Sequence, residues 1–191
     1  MWMPWNLGRL QTMTFEQLEQ IAKEYGFEAS APLNIATIVP KQEVRNMCEG
    51  NACGQYAKRW SCPPGCGSLE ECAHRLCDYS KGILVQTISE IEDSFDAEGM
   101  KKAETCHKNR MLDMYAAICK LAPNPLALGT GCCTRCKTCT YPHAPCRFPD
   151  EMIVSMEAYG ILVLEVCKAN GLPYYYGPER IAYTGCFLLE S

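Results

Sequence analysis

The sequence predicts an α/β (α+β) fold, a mixed sheet covered by helices with two cysteine-rich loops projecting from it. Three observations lead there. Stretches with helical periodicity interleave with stretches rich in β-branched residues, without the strict repetition of a βαβ array. Two cysteine-rich segments, 48–66, full of Gly and Pro, and 132–147, interrupt them and hold nine of the fifteen cysteines. The 191 residues show no internal repeat and no low-complexity linker, and suffice to bury a core, so the chain reads as a single domain, 1–191.

From the N-terminal side, Thr14-Phe15-Glu16-Gln17 resembles a capping box, and Phe15, Leu18, Ile21 and Ala22 recur at helical spacing up to Gly26. Asn34 to Val39 reads as a short strand stopped by Pro40, and a helix carrying Val44 and Met47 delivers the chain to Cys48. Ser68-Leu69-Glu70-Glu71 is a second capping box, opening a helix through about Tyr79. Gly82 to Ile88 is the strongest strand signal. An acidic turn then leads into a long helix from about Ala97 to Leu121, on which Met100, Ala103, His107, Met111, Met114, Tyr115 and Ile118 share a face suited to burial. Leu126-Ala127-Leu128 reads as a short strand feeding the second loop, and Met152 to Asn170 as a helix weakened at Gly160. Tyr174-Tyr175-Tyr176 and Ile181 to Leu189 read as two strands joined by a Gly177-Pro178-Glu179 turn.

Composition narrows the function. A net charge of −4 offers no basic patch for nucleic acid, and no apolar run is long enough to span a membrane. Met1 to Arg9 lacks a charged segment followed by an apolar one, so a cytoplasmic location is expected. Clustered cysteines in that compartment bind metal or perform redox chemistry. An odd cysteine count and the adjacent pair Cys132-Cys133 suit a disulfide framework poorly.

In the second loop Cys133, Cys136 and Cys139 form a C-x2-C-x2-C triplet, with Cys146 as the natural fourth ligand. Tandem x2 spacing points three thiolates from one tight loop at different irons of a [4Fe–4S] cluster. Cys146 follows after six residues, free to close that cluster or to serve another. Zinc is the alternative, because a C-x2-C pair with a later cysteine couple suits a tetrahedral ion. In the first loop Cys48, Cys53, Cys62 and Cys66 are candidates for a second cluster, with Cys72 a rival fourth ligand. Lys58 and Arg59 either raise the potential of an anionic cluster or form a solvated pair.

The weaker candidates are read as follows. His107, among apolar neighbours, is a core histidine in preference to a ligand. His143 either bonds the second site or is an exposed loop residue. Glu157, on the helix after the loop, bonds backbone near the cluster or faces solvent. Cys132 points away from the triplet if Cys133 points in, and Cys77, Cys106, Cys119, Cys167 and Cys186 are expected as small core residues.

Cys48-x4-Cys53 with Tyr56, Lys58 and Trp60, then Ser61-Cys62-Pro63-Pro64, resembles the N-terminal motif of the domain of unknown function 2284 family. Gly129-Thr130-Gly131 with Cys133, Cys136 and Cys139 is similar to its middle motif. So is Pro145-Cys146-Arg147-Phe148-Pro149 with Ser155-Met156-Glu157-Ala158-Tyr159-Gly160. The resemblance runs from about Ile35 to the C-terminus. It implies a metal-binding protein of a kind found mostly in anaerobic bacteria and archaea, with Cys48, Cys53, Cys62, Cys133, Cys136, Cys139 and Cys146 as ligands. It implies no reaction or substrate.

The leading expectation is an iron–sulfur protein with one or two [4Fe–4S] clusters that passes single electrons to a redox partner protein. The all-cysteine ligand set stands without a phosphate-binding Gly-rich fingerprint, an H-E-x-x-H or a G-x-S-x-G. Two alternatives stay open: a redox or Lewis-acid enzyme whose cluster has an open iron for a small molecule, and a zinc-stabilised binding module.

Overall fold

The structure, a computed structural model, describes residues 13–190. The reading of Met1 to Arg9 therefore lies outside the described residues. Five α-helices and a five-stranded mixed sheet form the framework among those residues. In chain order they are α1 (Phe15–Glu24), β1 (Ala29–Leu33), α2 (Gln42–Glu49), α3 (Leu69–Leu76), β2 (Tyr79–Glu90), α4 (Ala97–Ile118), β3 (Leu126–Gly129), β4 (Val154–Ser155), α5 (Val163–Ala169) and β5 (Arg180–Glu190). The predicted mixed sheet covered by helices is the fold observed.

Both capping boxes form. Thr14 Oγ1 accepts from Gln17 N, and Ser68 Oγ accepts from Glu71 N at 3.1 Å, while the Gln17 and Glu71 side chains reach back to the cap amides. Each cap satisfies amide groups that the first helical turn leaves without partners. In α4, Asp96 caps Gly99, and Ala103, His107, Met111, Met114 and Ile118 form the buried stripe.

The strands lie in the order β1-β2-β5-β3-β4, antiparallel throughout except for the parallel pair β3–β4. Ile83 opposite Phe187 and Leu84 opposite Cys186 fix the register at the centre. Alternation along the strands then sends Ile83, Val85, Ala127, Phe187 and Leu189 to one face, against α1 and α4. Ala31, Leu33, Leu84, Leu128, Cys186 and Leu188 go to the other face, against α3, α5 and the 149–161 segment. Burial on both faces of β2 and β5 explains why their sequences read as nearly continuous apolar runs.

Four expectations are corrected. Asn34 to Val39 is no strand: the Asn34 side chain accepts from Ala36 N at 3.1 Å and Thr37 Oγ1 donates to Asn34 O at 2.6 Å, closing a 3-10 turn over Ile35–Thr37. The strand is the preceding Ala29–Leu33, whose Pro32 is tolerated at a sheet edge. Met152 to Asn170 is no single helix. Val154–Ser155 pairs with β3, Glu157–Tyr159 is a 3-10 turn, and Gly160 takes a left-handed φ of 76° before α5. Tyr174 to Tyr176 forms no strand; the Tyr176 hydroxyl donates to Gln86 Oε1 at 2.7 Å instead. Of the five scattered cysteines, Cys167 and Cys186 are buried, while Cys77, Cys106 and Cys119 are exposed on the surface.

His107 is a core histidine as expected, fully buried on α4, with Nδ1 3.0 Å from Thr87 Oγ1 and its ring edge-on to Phe27. Burial, aided by Arg110 and Lys108, lowers its pKa to about 3. The unfolded chain, with a histidine near 6.5, binds the extra proton as pH falls, so the folded state loses stability from pH 6.5 downward toward 3. Between pH 6.5 and 5 the loss is about 2 kcal/mol at 1.36 kcal/mol per unit. Denaturant titration at pH 7 and pH 5 checks this: His107→Gln is expected to lose about 2 kcal/mol less than the natural protein, and equal losses would refute the assignment.

Candidate metal centre

The two cysteine loops meet at the carboxyl ends of the parallel strands β3 and β4. Loop 132–147 leaves β3 through Thr130 and Gly131, and Ser155 to Ala158 leaves β4 beside it, with Met156 N donating to Gly129 O at 3.0 Å. Loop 48–66 arrives from the last turn of α2. The buried Arg45 of α2 holds it there: its guanidinium donates to Ala158 O from one nitrogen and to Gly67 O from the other. Gly160 allows the close approach, because a Cβ on it would meet Leu69 Cδ1 at 2.5 Å and Lys41 O at 3.0 Å.

Three consecutive residues of the first loop clasp the second. Arg59 Nη1 donates to Cys133 O at 3.0 Å, Ser61 Oγ accepts from Cys133 N at 2.9 Å, and Trp60 Nε1 donates to Ala144 O at 3.0 Å. The Trp60 indole also stands edge-on to Tyr141, with centroids 4.9 Å apart. From the other side, α4 supplies Lys108, whose Nζ donates to Cys132 O at 2.9 Å and to Glu104 Oε1 at 2.5 Å. Gly131, at φ 60°, turns the chain past this ion pair.

The thiols divide into sets. Cys133, Cys136, Cys139 and Cys146 are half-buried in the second loop, and the Cys136 and Cys146 sulfurs are electrostatic neighbours of Cys133. Burial pushes the Cys133 thiol up. Cys48, Cys53 and Cys62 line a cavity of about 500 Å³ whose wall also includes Cys132, Lys101, Glu104 and Glu157. Burial drives the Cys62 pKa up to about 11, and burial followed by the Glu157 carboxylate raises that of Cys48. Burial thus withholds charge from the Cys48, Cys62 and Cys133 thiols, which a metal would stabilise as thiolates. Among the described residues, no three His, Cys, Asp or Glu side chains form a group of the size that holds a single ion.

Cys66 is not in the lining of that cavity, although Cys62 is among its electrostatic neighbours. It is buried, its Sγ lies 3.9 Å from Ala158 O, and its hydrogen bond with Cys72, together with burial, pushes its thiol far above the ordinary range. Cys72 is itself fully buried, its Sγ 3.8 Å from Cys66 O. Both belong to the core on that side of the sheet.

Other candidates find definite places. His143 is exposed. Glu157 sits on the 3-10 turn, not on a helix, and lines the cysteine cavity; burial raises its pKa, and its carbonyl lies 3.9 Å from Cys48 Sγ. Arg59 is a clasp residue, while Lys58 is exposed. Sequence reasoning gave no role to Arg45, Lys108 or Ser61; Ser61 entered only as part of the motif stretch Trp60 to Pro64. A second cleft of about 350 Å³, lined by Tyr174 to Pro178 and Tyr183, shares Thr130 and Glu157 with the cysteine cavity.

Replacing Arg45 with Met leaves one buried carbonyl, of Ala158, and one half-buried carbonyl, of Gly67, without donors, each worth about 1–3 kcal/mol. Arg45→Met is therefore expected to lower unfolding stability by about 2–4 kcal/mol, read by denaturant titration. A change under about 0.5 kcal/mol would show that Arg45 does not anchor the loop.

Among the described residues, no helix is long and apolar enough to cross a membrane. No curated protein and no solved structure matches the chain. The family model described as "Predicted metal-binding protein (DUF2284)" matches residues 31–189, taking in both cysteine loops and all five strands but for the first two residues of β1 and the last of β5, and the chain belongs to that family.

Proposed function

We propose that this protein holds two [4Fe–4S] clusters, one on Cys133, Cys136, Cys139 and Cys146 and one at Cys48, Cys53 and Cys62, and that it passes single electrons to a partner protein. The observation that carries this reading is the clasped pair of loops, which sets two groups of cysteines side by side at one end of the sheet. The C-x2-C-x2-C spacing supports iron–sulfur for the second loop. The size of the cavity supports it for the first. Four thiolates on one zinc stand about 3.8 Å apart, given Zn–S bonds of about 2.3 Å, and would not need about 500 Å³ between them. A cubane takes each thiolate on a different iron and fills more space. Positive charge from Arg59, Lys101 and Lys108 near the two groups favours the reduced, more negative cluster state.

One observation favours a second reading, an enzyme. The tyrosine-lined cleft adjoins the first cavity at Thr130 and Glu157, where a small molecule could reach an open iron and a carboxyl group.

Protein purified without oxygen is expected to carry about eight irons and as many acid-labile sulfides per chain, with a visible absorption that dithionite bleaches. Stoichiometric zinc without sulfide would sink the iron–sulfur reading. In Cys136→Ser the iron content is expected to drop toward half, with far-ultraviolet circular dichroism unchanged.

A further inference from the structure

We propose that Cys132, not Cys66, is the fourth ligand of the centre at Cys48, Cys53 and Cys62. The assignment rests on the metal-binding reading above and deepens it.

Four cysteines line the one cavity: Cys48 from the last turn of α2, Cys53 and Cys62 from the loop that follows, and Cys132 from the start of the second loop. Cys66 is absent from that lining. It is 7% exposed, packs with the core beneath α3 and is engaged with Cys72 and Ala158 O. To reach the cavity it would have to leave the apolar cluster that contains Leu76, Met156 and Tyr159. Cys62 has Cys132, Cys53 and Cys66 as electrostatic neighbours, and of these Cys132 and Cys53 share its cavity.

The backbone around Cys132 is held as a ligand backbone needs to be. Its carbonyl accepts from Lys108 Nζ at 2.9 Å, so α4 fixes one side of the peptide. The next residue is fixed on the other side, with Cys133 N donating to Ser61 Oγ and Cys133 O accepting from Arg59. Cys132 lines the first loop's cavity, which Cys133 does not, while Cys133 has Cys136 and Cys146 as neighbours; the two also share a smaller cavity under α4. On binding iron, each thiol of the set gives its proton to solvent and forms one S–Fe bond, with no change in oxidation state.

Consecutive Cα atoms lie 3.8 Å apart across a trans peptide. Ligation by both Cys132 and Cys133 thus places the two centres on adjacent residues, joined by one peptide and by the clasp. It also closes the first site with four thiolates, leaving no iron there open to a small molecule. Closure of both sites is what a relay needs and what the enzyme reading lacks.

Two measurements on the full chain, purified without oxygen, test the assignment. In Cys132→Ala the iron content is expected to fall from about eight to between about four and seven per chain, with the paramagnetic signature of a three-iron cluster or loss of one cluster's signal. Cys66→Ala should keep the natural content and spectrum. Natural iron and spectrum in Cys132→Ala, or loss in a folded Cys66→Ala, overturns the proposal. The second measurement uses the unaltered protein, so it stands even if a variant fails to fold: iodoacetamide labelling read by mass spectrometry before and after metal removal. Cys132 is expected to become reactive on metal removal together with Cys48, Cys53 and Cys62. Equal labelling of Cys132 in both states overturns the assignment. A protein that holds zinc without sulfide defeats the iron–sulfur reading alone, since metal-dependent protection of Cys132 still identifies the ligand; a protein with no bound metal defeats both.

Discussion

Arg59, Trp60 and Ser61 make the contacts on which the arrangement of the cysteines depends. Neither loop has a regular hydrogen-bond ladder to hold it, and loops of this length have no single conformation without outside partners. The clasp supplies those partners at three points, satisfying both main-chain groups of Cys133 and the carbonyl of Ala144. Without it, the two sets of thiols would be independent appendages. With it, they form one surface whose parts keep a fixed spacing.

The clasp is itself braced from two directions. Arg45 ties the end of the first loop and the Ala158 turn together from one side, and the Glu104–Lys108 pair of α4 meets the second loop from the other. Both braces place cationic groups next to buried or half-buried sulfur. The clusters proposed above would carry the opposite charge, so in a loaded site the residues that fix geometry would also offset its charge. That double use accounts for a buried arginine at a position where an apolar residue would pack at lower desolvation cost. It also gives α4 a divided role: its buried stripe, from Ala103 through Met111 to Ile118, holds the sheet, while its half-buried shoulder at Glu104 and Lys108 meets the second cysteine loop.

Much of this was legible in the sequence where local rules act alone. Two capping boxes and the 3.6-residue stripe of α4 located helices, and the apolar runs Gly82 to Ile88, rich in β-branched residues, and Ile181 to Leu189 located β2 and β5. The failures share a cause. Asn34 to Val39 carries strand-forming residues, but its first side chain competes for the backbone and turns the chain. Met152 to Asn170 has helix-forming composition, but Gly160 must take a left-handed turn against Leu69 and Lys41, contacts over 90 residues away in sequence. The regrouping proposed for Cys66 and Cys132 has a similar origin. Spacing counts residues along the chain, whereas ligand sets are built by what the fold brings together. The first loop holds Cys66 four residues after Cys62, yet Cys66 is committed to the core beneath α3, while Cys132 arrives from seventy residues away through the clasp at its neighbour Cys133.

That regrouping bears on how the protein would work. If the first site used only cysteines of its own loop, the burial of Cys66 would leave it one thiolate short, and the adjoining tyrosine-lined cleft would lead to an exposed iron. With Cys132 in place both sites close, and the cleft meets a carboxyl group at Glu157 but no vacant coordination position. A shared dipeptide, Cys132-Cys133, then couples the two centres mechanically as well as electrically: any displacement of Lys108, Arg59 or Ser61 moves a ligand of each. Closed sites on a common backbone favour electron passage between fixed centres over chemistry at either one, since a relay depends on short, constant separation and gains nothing from an open metal.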